Sequence, residues 1–350
     1  MCSIIKFGGS SLQNRSILSK VNIIIENKSK KTNLLIVICS ACGDTTNTLL
    51  SVIPLIETGD IFRVQQTLRT VYDYHDSLLE NSLPTVFTSI FNELKEFAIS
   101  LLGKPVANSK KAKILGYGEL MSSCILFSLL SEANNDKKED IVKIDSRELI
   151  KTDSTYLNAN IKYNVTYQFI QQKIAQLSPN IIIAPGFIGS NSQSEPTVLG
   201  RGGSDLTASL FAIALNAKEV EIWSDRDGIM TSDPRYISGT QLIRELNYDQ
   251  LFNLSYYGAK IVFYKTVLPL FGKKINTWIK NTYNPENRGT LICSSNQHLS
   301  HQNKELDNTT TTTDNQNKVL AITTLSDIVL IKIFGIKIKQ CVGFSAKVFQ

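Results

Sequence analysis

Asn33 to Cys39 (NLLIVIC) is an almost unbroken apolar run with polar segments on either side. A strand with one wet face alternates polar and apolar residues, whereas one that is apolar at nearly every step needs cover on both faces. Strands of that kind belong to parallel sheets held between layers of helices. Asn180 to Ala184 (NIIIA) has the same character, and Glu219 to Trp223 (EVEIW) and Asp140 to Asp145 read as further strands. Ser3 to Phe7 is a short buried strand, followed by Gly8-Gly9-Ser10-Ser11 as a tight loop. An amphipathic helix comes next, with Ile17, Leu18, Val21, Ile24 and Ile25 on its apolar face. Strand, loop, helix and the Asn33–Cys39 strand make a βαβ unit. Its glycine loop lies at the carboxyl end of the first strand, where ligands bind in open α/β sheets.

A second glycine segment, Thr197 to Asp205 (TVLGRGGSD), runs into the apolar-periodic stretch Leu206 to Leu215. Gly200, Gly202 and Gly203 let backbone N–H groups crowd onto an anion, and Arg201 adds a fork of donors suited to a carboxylate or phosphate. Ser204 or Asp205 is the expected N-cap of the following helix, whose positive end then points at the same spot. Taken alone, a glycine-rich turn before a helix is more often only a turn. Lys6 has two readings as well: an edge or snorkelling lysine, or an ammonium reaching a phosphate held by the adjacent loop. Position favours the second. The first loop has neither the Walker pattern nor the spaced glycines of a dinucleotide fingerprint.

Elsewhere the pattern predicts a helix from about Thr48 to Glu57, helical elaboration over 61–102, and a helix opened by Gly116-Tyr117-Gly118-Glu119. Glu119 there would either complement a helix dipole or hold a substrate ammonium group. Tyr163 to Gln176 and Asp249 to Tyr257 read as helices, and Ile275 to Ile279 and Thr290 to Cys293 as strands. Ser224 to Gly228 and Met230 to Arg235 are acidic turns after a core strand, commonly only turns but also the place where ribose, adenine or Mg²⁺ is held. Ser294 to Lys318 turns polar and low in complexity, as expected of a flexible linker. Val319 to Thr324 and Ile328 to Phe334 then read as strands and Gly343 to Phe349 as the start of a helix, an incomplete domain.

The 37 basic and 31 acidic residues give a net charge of +6, but the lysines come as scattered pairs, which speaks against nucleic-acid binding. The six cysteines show no zinc-site spacing and read as reduced, buried thiols. His75, His298 and His301 do not cluster with carboxylates. No secretory leader is evident and no unbroken run of about 18 apolar residues suggests a membrane span, so the expectation is a cytoplasmic protein with no membrane partner.

Taken in order, Lys6-Phe7-Gly8-Gly9-Ser10-Ser11, Gly118 to Ser122, Leu199 to Asp205, Glu221 to Arg235, Ser255 to Lys260 and Ile279 to Thr282 resemble aspartate kinases of the amino-acid-kinase superfamily. The likeness is nearest to the kinase portion of bifunctional aspartate kinase–homoserine dehydrogenases. It implies an α/β three-layer sandwich around a mostly parallel sheet over residues 1–294, a linker over 295–317 and a partial ACT-like α+β segment over 318–350. It implies transfer of the γ-phosphoryl group of ATP, with Mg²⁺, to the β-carboxylate of L-aspartate, the first step toward lysine, threonine and methionine, in a homo-oligomer. By the family pattern Lys6 and the amides of Gly8, Gly9 and Ser10 steady the phosphates. Arg201 binds the aspartate α-carboxylate, Glu119 its ammonium, and Thr46 and Ser204 its other polar atoms. Asp205 orients the cations or helps organise Mg²⁺. Ser224, Asp225, Met230, Arg235 and Lys260 contact ATP, and no protein-built metal site is implied.

The chain departs from that pattern at Tyr117, Arg226, Met230 and Phe263-Tyr264, which bears on the nucleotide pocket more than on phosphate chemistry. Two alternatives accompany the reading: the same fold acting on another acyl group or a nucleotide, and a non-catalytic binding or regulatory chain.

Overall fold

The computed structural model describes residues 2–133, 140–257, 264–294 and 319–323. The chain opens with the expected βαβ unit: β1 (Cys2–Phe7), a single 3-10 turn (Gly9–Leu12), α1 (Arg15–Ser29) and β2 (Leu34–Cys39). Four helices follow, α2 (Thr45–Glu57), α3 (Ile61–Asp76), α4 (Thr85–Ser100) and α5 (Asn108–Ala133), then β3 (Ile141–Lys143) and the one-turn α6 (Ser146–Leu149). Next come α7 (Tyr163–Ala175), β4 (Ile181–Pro185) and a hairpin of β5 (Ile188–Ser190) and β6 (Pro196–Val198) that leads into α8 (Gly203–Ala214). The last part holds β7 (Glu219–Ser224), the small pair β8 (Ile229–Met230) and β9 (Leu242–Ile243), β10 (Glu245–Asn247), α9 (Tyr248–Tyr256), α10 (Tyr264–Phe271), β11 (Asn276–Asn281) and β12 (Thr290–Cys293).

Eight strands form one sheet in the order β10-β12-β11-β7-β1-β2-β4-β3. Every pairing is parallel save β11 with β12. Alternation along the central strands divides the core in two. Ile5, Phe7, Leu35, Val37 and Cys39 pack against α1 to α5, and Ile4, Ile36 and Ile38 pack on the other side with α7 and α8. A helix layer therefore covers each face, as the apolar run of β2 requires. Lys6, paired with Ile38 on one side and Ile222 on the other, stands in the middle of the sheet, which removes the edge-strand reading.

Three sequence expectations are corrected. First, α2 begins at Thr45 rather than Thr48, so Thr46 lies in its first turn. Second, Gly116 to Glu119 do not open a helix but sit in the interior of the 26-residue α5. The two glycines are there for packing: a Cβ on Gly118 would lie 2.9 Å from the Cβ of Ala41, in the loop after β2. By length and composition α5 could cross a membrane, but no unbroken apolar run marks it and 78% of its most apolar window is buried in the core. Third, Val319 to Thr323 is not a strand. It is an irregular segment whose Ile322 N–H donates to the Thr231 carbonyl at 2.9 Å. The expected linker, the Ile328–Phe334 strand and the Gly343–Phe349 helix lie outside the described residues.

Gly118→Ala inserts a methyl group where α5 meets the Ala41 loop with no room to spare. The expected outcome is a loss of roughly 1–3 kcal/mol, read by urea denaturation, the range typical of overpacking a filled core.

Candidate active site

The carboxyl ends of four adjacent strands converge, and backbone hydrogen bonds lace their loops together. Gly8 N–H after β1 donates to Trp223 O on β7 (3.1 Å), Ser40 N–H after β2 to Phe7 O (3.1 Å), and Gly186 N–H after β4 to Cys39 O (2.8 Å). Each loop therefore starts from a position set by the neighbouring strand. Gly9 is pressed into this lattice: a Cβ there would lie 2.8 Å from Gly43 O and 2.9 Å from Ala41 O, so only glycine fits.

Over the same edge lies the first turn of α8. Its N-cap is neither Ser204 nor Asp205 but Gly202, in the left-handed conformation (φ 74°) and with no side-chain cap. Gly200, also left-handed, turns the chain so that the backbone enters the helix unaided. Asp205 is thereby free for another partner. Its carboxylate meets the Lys6 ammonium at 2.6 Å, with both side chains almost buried. Ser204 lies buried against Gly186. Arg201 is exposed, and among the described residues its guanidinium has no hydrogen bond or ion pair.

Glu119 is 3% exposed in the interior of α5. One carboxyl oxygen accepts the Ala41 N–H (3.3 Å), and the other is buried with no hydrogen-bond partner. Burial pushes this carboxyl up to about 8. Since Ala41 also backs Gly9, Glu119 and the glycine loop border the same short loop. Thr46 is half-buried at the start of α2 beside it.

On the other flank, the Ser224 hydroxyl accepts the Arg226 N–H (3.2 Å), and Asp225 is exposed. Met230 is paired with Leu242 in the small β8–β9 ladder. Arg235 forks onto both oxygens of Asp233, an exposed local pair that holds the Asp233 carboxyl down at about 2. Lys260 lies outside the described residues. Sequence reasoning left one group of residues without a role: Thr282 shares a 2.7 Å hydrogen bond with the Ser11 hydroxyl, and Tyr283 OH donates to Ser10 O (3.0 Å). The matched stretch Ile279 to Thr282 is the signal that marks them. His75 is a core residue, its Nδ1 bonded to Val71 O and its ring against Phe87, and burial lowers it to about 4.

A carboxyl raised from 4.5 to about 8 keeps its proton in the folded chain where the unfolded chain has lost it. Glu119 therefore favours the fold most at low pH and loses that contribution as pH rises through about 8. Glu119→Gln is expected to gain stability relative to the wild type from about pH 5 to pH 8, read as a difference in urea midpoints that widens over that range and levels off above it.

Residues 1–281 match the model of the amino acid kinase family. The chain is 32% identical over 304 residues to a bifunctional aspartokinase/homoserine dehydrogenase of Buchnera aphidicola, covering 84% of this chain and 36% of that protein. It is 28% identical to lysine-sensitive aspartokinase 3 of Escherichia coli, covering 83% of this chain and 64% of the relative. The crystal structure of E. coli aspartokinase III in complex with aspartate and ADP superposes with a TM-score of 0.76 at 26% identity, over 84% of this chain and 65% of that one. The chain thus spans about a third of the bifunctional relative's length and just under two thirds of the single-function one's. Glycine loop, sheet order and family match agree: the chain belongs to the amino acid kinase family.

Proposed function

We propose that this chain is the catalytic portion of an aspartate kinase, moving the γ-phosphoryl group of MgATP to the β-carboxylate of L-aspartate. The observation that carries the reading is the Lys6–Asp205 pair, poised where the glycine loop meets the first turn of α8. The similarity to an aspartokinase solved with aspartate and ADP supports the same ligands here.

The chemistry suits these residues. The acceptor carboxylate is already ionised, so it attacks phosphorus without a general base. The new C–O–P bond forms as the bond to the β-phosphate oxygen breaks and ADP leaves with the electron pair. The obstacle is bringing two anions together, which calls for fixed positive charge and oriented N–H groups. Lys6 would sit against the β- and γ-phosphates, with the Gly9 and Ser10 amides around them. The Gly8 amide, expected there from the family pattern, is instead bonded to Trp223 O. Asp205 would hold the Lys6 ammonium in place. Mg²⁺ would arrive with ATP.

On the substrate side, Arg201 would bind the α-carboxylate. Ser204 and Thr46 would take other polar atoms. The unpartnered oxygen of Glu119 would receive the ammonium group. On the nucleotide side, Ser224, Asp225 and Met230 would flank the nucleoside, with Arg235 and Lys260 as further contacts.

The direct test is aspartate-dependent ADP release from MgATP. Lys6→Met is expected to lower kcat by roughly 100-fold or more, the scale for losing a donor aimed at developing charge. Arg201→Ala is expected to raise KM for aspartate about 10- to 100-fold, the range for a charge-assisted hydrogen bond. A folded wild type that releases no ADP would return the choice to a non-catalytic binding chain.

A second outcome follows from Glu119. If an ammonium group settles on its free oxygen, the carboxyl must give up the proton that burial holds on it up to about pH 8. Aspartate binding at pH 7 is then expected to release protons, seen as a calorimetric enthalpy that varies with the ionisation enthalpy of the buffer. Glu119→Gln abolishes that variation.

A further inference from the structure

The turn after β11 belongs to neither strand loop of the candidate site, yet it bonds to both. Toward the acidic turn after β7, the Thr282 N–H donates to Ser224 O (2.9 Å). Asn281 Nδ2 donates to Asp227 Oδ1 (2.9 Å), and Asn284 Nδ2 reaches the same oxygen (3.3 Å). Toward the glycine loop, the Thr282 and Ser11 hydroxyls share a bond of 2.7 Å, and Ser11 donates on to Trp223 O (3.3 Å). Tyr283 OH donates to Ser10 O (3.0 Å) and accepts from Gln13 Nε2. The turn itself is held: the Tyr283 N–H donates to Asn281 Oδ1 (2.9 Å) and Lys20 Nζ to Tyr283 O (2.9 Å).

Resting on the kinase reading above, we infer that Asn281, Thr282 and Tyr283 form a clamp that sets the nucleoside-side turn and the phosphate loop at one spacing, making them positioning residues for a nucleoside triphosphate. The argument is geometric. A nucleotide touches both loops at once. The glycine loop bonds to the end of β7 through Gly8 N–H and Ser11 Oγ at Trp223 O, but among the described residues no side chain of residues 8–13 bonds to the turn Ser224–Gly228. The only polar links from the Asp227 carboxylate to the Ser10 carbonyl, among the described residues, pass through this turn. Side chains that fix two halves of a site before the ligand arrives reduce the ordering left for binding. Aspartate, by contrast, meets Arg201, Ser204 and Glu119, none of which the turn touches.

Specificity for one substrate therefore tests the clamp. Tyr283 is 37% exposed, so Tyr283→Phe removes a hydroxyl without opening the core. Tyr283→Phe and Asn281→Ala, each in the full chain, are expected to raise KM for MgATP roughly 3- to 30-fold, spanning the loss of a neutral hydrogen bond at Tyr283 and of one to a carboxylate at Asn281. KM for aspartate stays at the wild-type value. Thr282→Ser, which keeps the hydroxyl, behaves as wild type, while Thr282→Val shares the defect. ADP binding by calorimetry weakens in parallel, and amide hydrogen exchange in residues 8–13 quickens in Tyr283→Phe while β11 exchanges as before.

Unchanged MgATP and ADP affinities in Tyr283→Phe and Asn281→Ala would overturn the clamp. So would an equal rise in both KM values, the mark of general loosening. A wild type that neither turns over nor binds ADP would instead strike at the kinase reading. The exchange measurement on residues 8–13 still decides whether the turn holds the loop.

Discussion

The Lys6–Asp205 ion pair is the contact on which the arrangement depends. Lys6 is in the middle of an eight-stranded sheet with apolar neighbours on both flanking strands, a place where a lone ammonium would be expensive. Asp205 answers it from the first turn of the helix that covers the sheet. The pair joins β1 to α8 and holds a positive charge at the carboxyl edge of the sheet. Breaking a buried pair by removing one partner costs several kcal/mol, while the intact pair contributes little net stability. Retaining it therefore speaks for chemistry rather than for holding the fold together.

A second polar network lies behind the glycine loop, on the α1 side of the sheet. Glu221 on β7 takes Lys28 at 2.6 Å, Lys280 at 3.5 Å and the Trp223 indole N–H at 2.9 Å, and Lys28 also reaches Glu219 at 2.7 Å. Burial pulls the Lys28 ammonium down, but Glu221 and Glu219 outweigh it and hold the group above its ordinary value. Lys280 also stands over the Trp223 ring at 5.0 Å, within cation–π range. The consequence reaches the site, because the Trp223 carbonyl receives both the Gly8 N–H and the Ser11 hydroxyl. Charges at the foot of β7 thus brace the carbonyl from which the glycine loop hangs.

The misreadings of the sequence share a cause. Glycines punctuate local structure, so Gly116 and Gly118 suggested a helix start. They serve close packing against the β2 loop and the hairpin, a contact made by residues far away in the chain. Glu119 then changes meaning: not a residue easing a helix dipole but a buried carboxyl with one oxygen unmet. Ser204 and Asp205 suit an N-cap by type, yet Gly202 takes that place because the left-handed backbone makes the turn, leaving Asp205 for Lys6. The Asn281–Tyr283 turn was invisible as a device. Its partners lie more than 50 residues away at Asp227 and about 270 away at Ser10 and Ser11.

What the sequence determined by itself is the layered α/β class, the first βαβ unit and the two glycine segments that meet at the sheet's edge. Those follow from apolar runs and helical spacing, which are local and survive without knowledge of partners. Lys6, Gly9, Arg201 and Asp205 also stood out as candidates, since chemistry and position along the chain mark them. Only the tertiary structure decided that Lys6 faces Asp205, that Glu119 is buried with a free oxygen, and that one turn after β11 joins two loops. Such facts depend on which distant segments are brought within hydrogen-bonding range, and the strand order β11-β7-β1-β2 is what brings them there.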